Sequence, residues 1–173
     1  MLFRSEDTAT LRRKIAQVNV GALTGLVTVL AYNLAFAWNG NPALLRSGAA
    51  ELPPALLLPL VWWLNARRRL VAARWCLGVL VQACACAAIF GGQGTVTQVQ
   101  LYFVLFAVVT PALFPVHAWR SVIFQVGVNL AAYAAFATWG WPADPALAQL
   151  APVWIHGITL SMMVSCGWTA EIG

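Results

Sequence analysis

Apolar residues come in six long runs along this chain, with polar or turn-forming residues between them. The first run, residues 18–38, reads VNVGALTGLVTVLAYNLAFAW. About 20 such residues cross a bilayer core as a helix. It follows Arg12, Arg13 and Lys14 and stops at the turn signal Asn39-Gly40-Asn41-Pro42. The second run, 49–66, ends at Arg67-Arg68-Arg69 and holds Pro59 in its middle. A proline there lacks an N–H and clashes with the preceding turn, so a kink is expected. The third run, 70–90, closes at Gly91-Gly92-Gln93-Gly94, and its short link to the second predicts an antiparallel hairpin. The fourth, 99–116, carries Pro111 and Pro115 near its end. A polar break at 117–120 leads to the fifth, 122–139, and the loop GWPADPALAQ leads to the sixth, 151–170. That last run is the most polar, with His156, Thr159, Ser161, Ser165 and Cys166.

The pattern predicts an all-α integral membrane bundle of six transmembrane helices. It divides the chain into an N-terminal segment, 1–17, a transmembrane domain, 18–170, and the start of a connector, 171–173. No internal repeat aligns between the hairpins. Composition agrees: 61% of residues are hydrophobic and 9% charged, against about 25% charged in soluble domains. No cleavable signal peptide is visible, so the first run is expected to stay as an anchor.

The net charge of +5 is a topology signal rather than a nucleic-acid footprint, because no basic stripe with stacking aromatics exists. With the N-terminus inside, one side receives Arg4, Arg12, Arg13, Lys14, Arg67, Arg68, Arg69, Arg74 and Arg120. The other receives Arg46, beside Glu51, and Asp144. Basic residues favour the cytoplasmic side, so both termini are expected in the cytoplasm.

Catalytic patterns are missing: the chain has no HExxH, GxSxG or P-loop, and no acidic pair within a span. Glu6, Asp7, Glu51, Asp144 and Glu171 all read as lying at ends or in loops. The chain is therefore not expected to be an enzyme. Cys76, Cys84, Cys86 and Cys166 lack CxxC spacing and read as packing residues. No cofactor is implied. Haem ligation by His117 and His156 fails on depth, since they lie at opposite boundaries.

Uncharged polar residues inside the runs carry more information. An amide facing lipid is costly, so these side chains face other helices or a cavity. By depth, Asn33, Gln98, Tyr102, Tyr133 and His156 fall in the outer halves of their helices and form a candidate ligand pocket, with Trp154 as a wall. The alternative is interhelical hydrogen bonding that only holds the bundle together. His156 reads either as a ligand-binding or pH-sensing imidazole or as an interfacial histidine. Gly21 and Gly25 form a GxxxG that suits dimerisation or packing within one subunit. Most tryptophans fall near helix ends, as in an aromatic belt.

The second half has a recognisable order: GGQGTVTQVQLYFVLFAVVTPALFP, a basic break HAWR, a helix, a Pro-rich loop, then SMMVSCGW. This resembles the six-helix N-terminal membrane sensor region of bacterial signalling proteins, which precedes class III adenylate cyclase, diguanylate cyclase or histidine kinase domains. The resemblance implies a homodimeric receptor in the bacterial inner membrane. It would sense a small apolar or amphipathic ligand, or the state of the membrane lipid, and pass the signal through the sixth helix. The end at Gly173 falls where a connector to an output domain would begin. A small stand-alone transporter or channel subunit is the alternative.

Overall fold

The computed structural model describes residues 8–95, 97–114 and 118–149. In chain order these form α1 (Thr8–Asn39), α2 (Pro42–Leu56), α3 (Pro59–Ala66), α4 (Leu70–Ala88), α5 (Leu101–Leu113) and α6 (Trp119–Trp139). A π-helical turn, Ile89–Gln93, prolongs α4, and a 3-10 turn, Pro145–Gln149, follows α6.

Helix α1 begins ten residues before its apolar run, because Arg12, Arg13 and Lys14 are good helix formers. Helix α2 begins seven residues before its run. Asn41 caps it: the side-chain oxygen accepts from the N–H groups of Ala43 and Leu44, and Pro42 occupies the first turn. The interruption expected from Pro59 falls at Leu57 and Leu58. Without a proline N–H, the carbonyl of Ala55 accepts from Leu58 instead, and short i→i−3 bonds carry the chain from α2 into α3.

The six-span expectation is corrected. Among the described residues, four helical stretches are long and apolar enough to cross a membrane: Thr10–Asn39, Pro42–Ala66, Leu70–Gln93 and Trp119–Trp139. The fourth apolar run yields only the 13-residue α5, which is about 20 Å long. Its beginning is spent on a turn in which Gln98 takes a positive φ, and its end breaks at Phe114, whose backbone is extended. The sixth run lies outside the described residues. The architecture is a multi-helix bundle consistent with a multi-pass membrane protein. Its apolar exterior fits lipid contact, with Leu34, Val108, Ile123 and Phe124 all exposed.

The helices run back and forth between two ends. One end gathers the start of α1, the Arg67–Arg69 turn and the start of α6, and there the Lys14 ammonium donates to the carbonyl of Phe114. Val18, Leu58, Val61, Leu77 and Phe114 form a buried core near it. The other end holds the Asn39–Asn41 turn, the π-turn and the loop after α6, around a core of Phe36, Leu44, Ile89 and Phe103. Arg46 and Asp144 form an exposed ion pair there, a kind that contributes little. The GxxxG glycines are used inside the subunit. A methyl on Gly25 would lie 3.2 Å from Leu58, and one on Gly21 would lie 3.4 Å from Leu77.

The loop after α4 depends on Gly94. Its φ is 60° and its ψ −156°, a region that is essentially glycine's alone. A Cβ there would sit 2.6 Å from both the Ala143 nitrogen and the Trp141 oxygen. Gly94→Ala is expected to cost about 2 kcal/mol. Gly40 also has a positive φ but open space around it, so Gly40→Ala should cost about half as much. Thermal unfolding in detergent checks both, and equal effects would contradict the tight packing at Gly94.

Candidate functional site

The early start of α2 has a consequence for Glu51. It lies nine residues beyond Pro42, about 14 Å along the helix, and is buried at 6% exposure. This corrects the expectation that all the acidic residues sit at ends or in loops. Ser47 stands one turn earlier on the same face, and its hydroxyl donates to the Glu51 carboxylate at 3.0 Å. The π-turn brings Gln93 against the same face. Its amide nitrogen donates to the Ser47 hydroxyl at 2.8 Å and to Glu51 Oε1 at 3.2 Å. Thr97 in turn donates to the Gln93 oxygen at 3.2 Å. The donors therefore run from Thr97 through Gln93 and Ser47 towards Glu51, which closes the chain as an acceptor.

Close approach makes the network possible. A Cβ on Gly91 would lie 2.8 Å from the Ser47 Cα, so α2 and the π-turn meet with almost no side chain between them. The Cys84 thiol reaches the backbone carbonyl of Glu51 at 3.9 Å, tying α4 to the same turn of α2.

Glu51 also lines a cavity of about 280 Å³ bounded by α1, α2, α4 and α5. Helix α1 offers it Gln17, Thr24, Thr28 and Tyr32, spaced at helical intervals along one face, with Gly21 and Gly25 between them. Helix α5 closes the opposite side with Tyr102, Phe106 and Val109. Leu58 and Leu77 complete an apolar wall. A long apolar space with a few placed polar groups is the usual form of a small-molecule site.

The residues singled out in the sequence are distributed unevenly around it. Tyr102 lines the cavity. Tyr133 packs, with Tyr102, against the core around Phe103. The Asn33 amide donates to the Val29 carbonyl of its own helix at 2.9 Å. Gln98 is exposed in the turn before α5. Trp154 and His156 lie outside the described residues. Sequence reasoning missed Glu51, Ser47 and Gln93. The signals were the Asn-Pro cap, which moves Glu51 into the helix, and the four-residue spacing of Ser47 and Glu51.

A second buried polar group lies apart from the cavity. Gln125 and Asn129 on α6 are buried, and Gln125 sits over Gly78 of α4. Both side-chain amide atoms of Gln125 and the Asn129 oxygen lack hydrogen-bond partners among the described residues.

No family model, curated protein or solved structure matches the chain. The resemblance to signalling sensor regions is corrected accordingly. No likeness ties the chain to cyclase or kinase proteins, and the six-span plan that carried the resemblance gives way to four long apolar helices among the described residues.

Proposed function

We propose that this is a multi-pass protein of a bacterial cytoplasmic membrane that binds a small amphipathic molecule between α1, α2, α4 and α5. It acts by binding rather than by catalysis. The observation that carries the reading is the cavity, whose walls are apolar except for the Glu51 region and the Gln17, Thr24, Thr28, Tyr32 and Tyr102 side chains. The arginine-rich end, with Arg12, Arg13, Arg67, Arg68 and Arg69, faces the cytoplasm under the positive-inside rule. A ligand that fits one arrangement of α1 against α5 better than another shifts the population between them, which is how a sensor of this size would report occupancy.

The test uses the full chain in lipid nanodiscs and 4-phenylbutanol as probe. Binding is expected to saturate, and Thr28→Trp, which fills the cavity from α1, should weaken it about tenfold. Gly127→Trp is the control, since nothing lies within 4 Å of a Cβ there. Equal binding by the protein and both variants would sink the cavity reading.

A second reading, transport of the ligand, is favoured by Glu51. Ionisable side chains within membrane helices mark substrate and ion pathways more often than they mark packing. Solute flux into vesicles that carry the protein, lost in Thr28→Trp, would move transport to first place.

A further inference from the structure

The cavity has one acidic side chain, Glu51, and no basic one among its lining residues. The recorded side-chain partners of its carboxylate, Ser47 and Gln93, are neutral donors. Both donate to the same oxygen, Oε1, and no basic side chain among the described lining residues stands against the carboxylate. In a site walled by Leu58, Leu77 and Phe106, water screens that charge poorly, so a positive group gains more there than in bulk water. Tyr32 and Tyr102 line the same space, and tyrosine faces attract cations as well as apolar chains.

We propose that the ligand of this cavity is a lipophilic cation, with an ammonium-type head set against Glu51 and an apolar tail along Leu58, Leu77 and Phe106. The proposal rests on the cavity being a ligand site and adds the charge class of the ligand. The overall charge sharpens it. A chain of net charge +5 repels cations at long range, so cation binding, where it occurs, is local to the carboxylate.

The experiment compares three probes with one phenylbutyl tail and different heads: trimethylammonium, alcohol and sulfonate. Equilibrium dialysis is run on the full chain in nanodiscs, with empty nanodiscs subtracted. The ammonium is expected to bind about thirtyfold more tightly than the alcohol, as for a desolvated charge pair, and the sulfonate more weakly than either. Glu51→Gln keeps an acceptor for Ser47 and Gln93 and removes the charge. It should bring the ammonium down to the level of the alcohol.

Equal binding of ammonium and alcohol, or preference for the sulfonate, overturns the cation proposal and leaves the cavity reading standing. Binding of all three that ignores Thr28→Trp overturns both. Should Glu51→Gln fail to fold, the order of the three heads on the unaltered protein decides the matter alone.

Discussion

Gly78→Leu is expected to unfold the bundle in detergent, and Gln125→Ala in the same chain to restore it. Gly78 is buried on α4, and a Cβ built there would fall on the side-chain amide of Gln125. That amide cannot swing into open solvent, because Gln125 is 1% exposed. A leucine brings three further carbons into the same space. Overpacking a filled core costs about 1–3 kcal/mol, and the leucine here would have to expel a whole side chain, so about 3 kcal/mol or more is expected. Removing Gln125 vacates that volume, and the two changes should couple by about 1–3 kcal/mol. The reverse side of the argument is Gln125→Met. Its amide atoms have no hydrogen-bond partner among the described residues, so an apolar side chain of similar shape should raise the thermal midpoint. Additive effects of Gly78→Leu and Gln125→Ala would mean that the two residues do not share the space.

The long apolar helices were legible because lipid imposes a simple rule on length and composition. α6 ends at Trp139 and the hairpin of α3 and α4 turns at the arginines, as the apolar pattern required. What the pattern misjudged were the helix ends. Hydropathy counts apolar residues, whereas a helix begins where its first N–H groups find acceptors. Asn41 and Pro42 looked like a turn and are instead a cap and a first turn. The fourth run failed for the opposite reason. Its first residues are apolar enough to extend a helix, yet Gln98 turns the chain at φ 57° and the helix starts only at Leu101.

The site was harder to read than the spans. Tyr102 was visible as a polar aromatic at depth, and it lines the cavity. Glu51 was hidden by the misplaced start of α2. Its partner Gln93 is 42 positions away and reaches it through a π-turn with Gly91 pressed on Ser47. Long-range approach of that kind has no periodicity to betray it. Gln98 illustrates the converse: its position at the mouth of a helix suggested a pocket, while its backbone turns the side chain out to an exposed site.

Glu51→Gln is expected to be more stable than the unaltered protein, and Glu51→Ala less stable. Two effects of opposite sign meet at this residue. Hydrogen bonds to a charged group contribute about 1.5–3 kcal/mol each, and Glu51 accepts from both Ser47 and Gln93. Against them stands the loss of hydration of a buried charge, several kcal/mol per ion unless a partner compensates it. Its partners are neutral, so the second effect is only partly offset. Glutamine keeps an oxygen for both donors and removes the charge, which should gain about 1–2 kcal/mol. Alanine removes the acceptor and leaves a void. Ser47 retains the Ala88 carbonyl at 3.3 Å and Gln93 retains Ser47, so the loss is bounded, and the two variants should differ by about 3 kcal/mol. Thermal midpoints in detergent, without ligand, give the order. A carboxylate kept where glutamine would be more stable is a group retained for what it binds, as stability is commonly given up at functional sites. If glutamine proves as destabilising as alanine, the charge of Glu51 is already matched within the bundle, and the case for a cationic ligand loses its electrostatic basis.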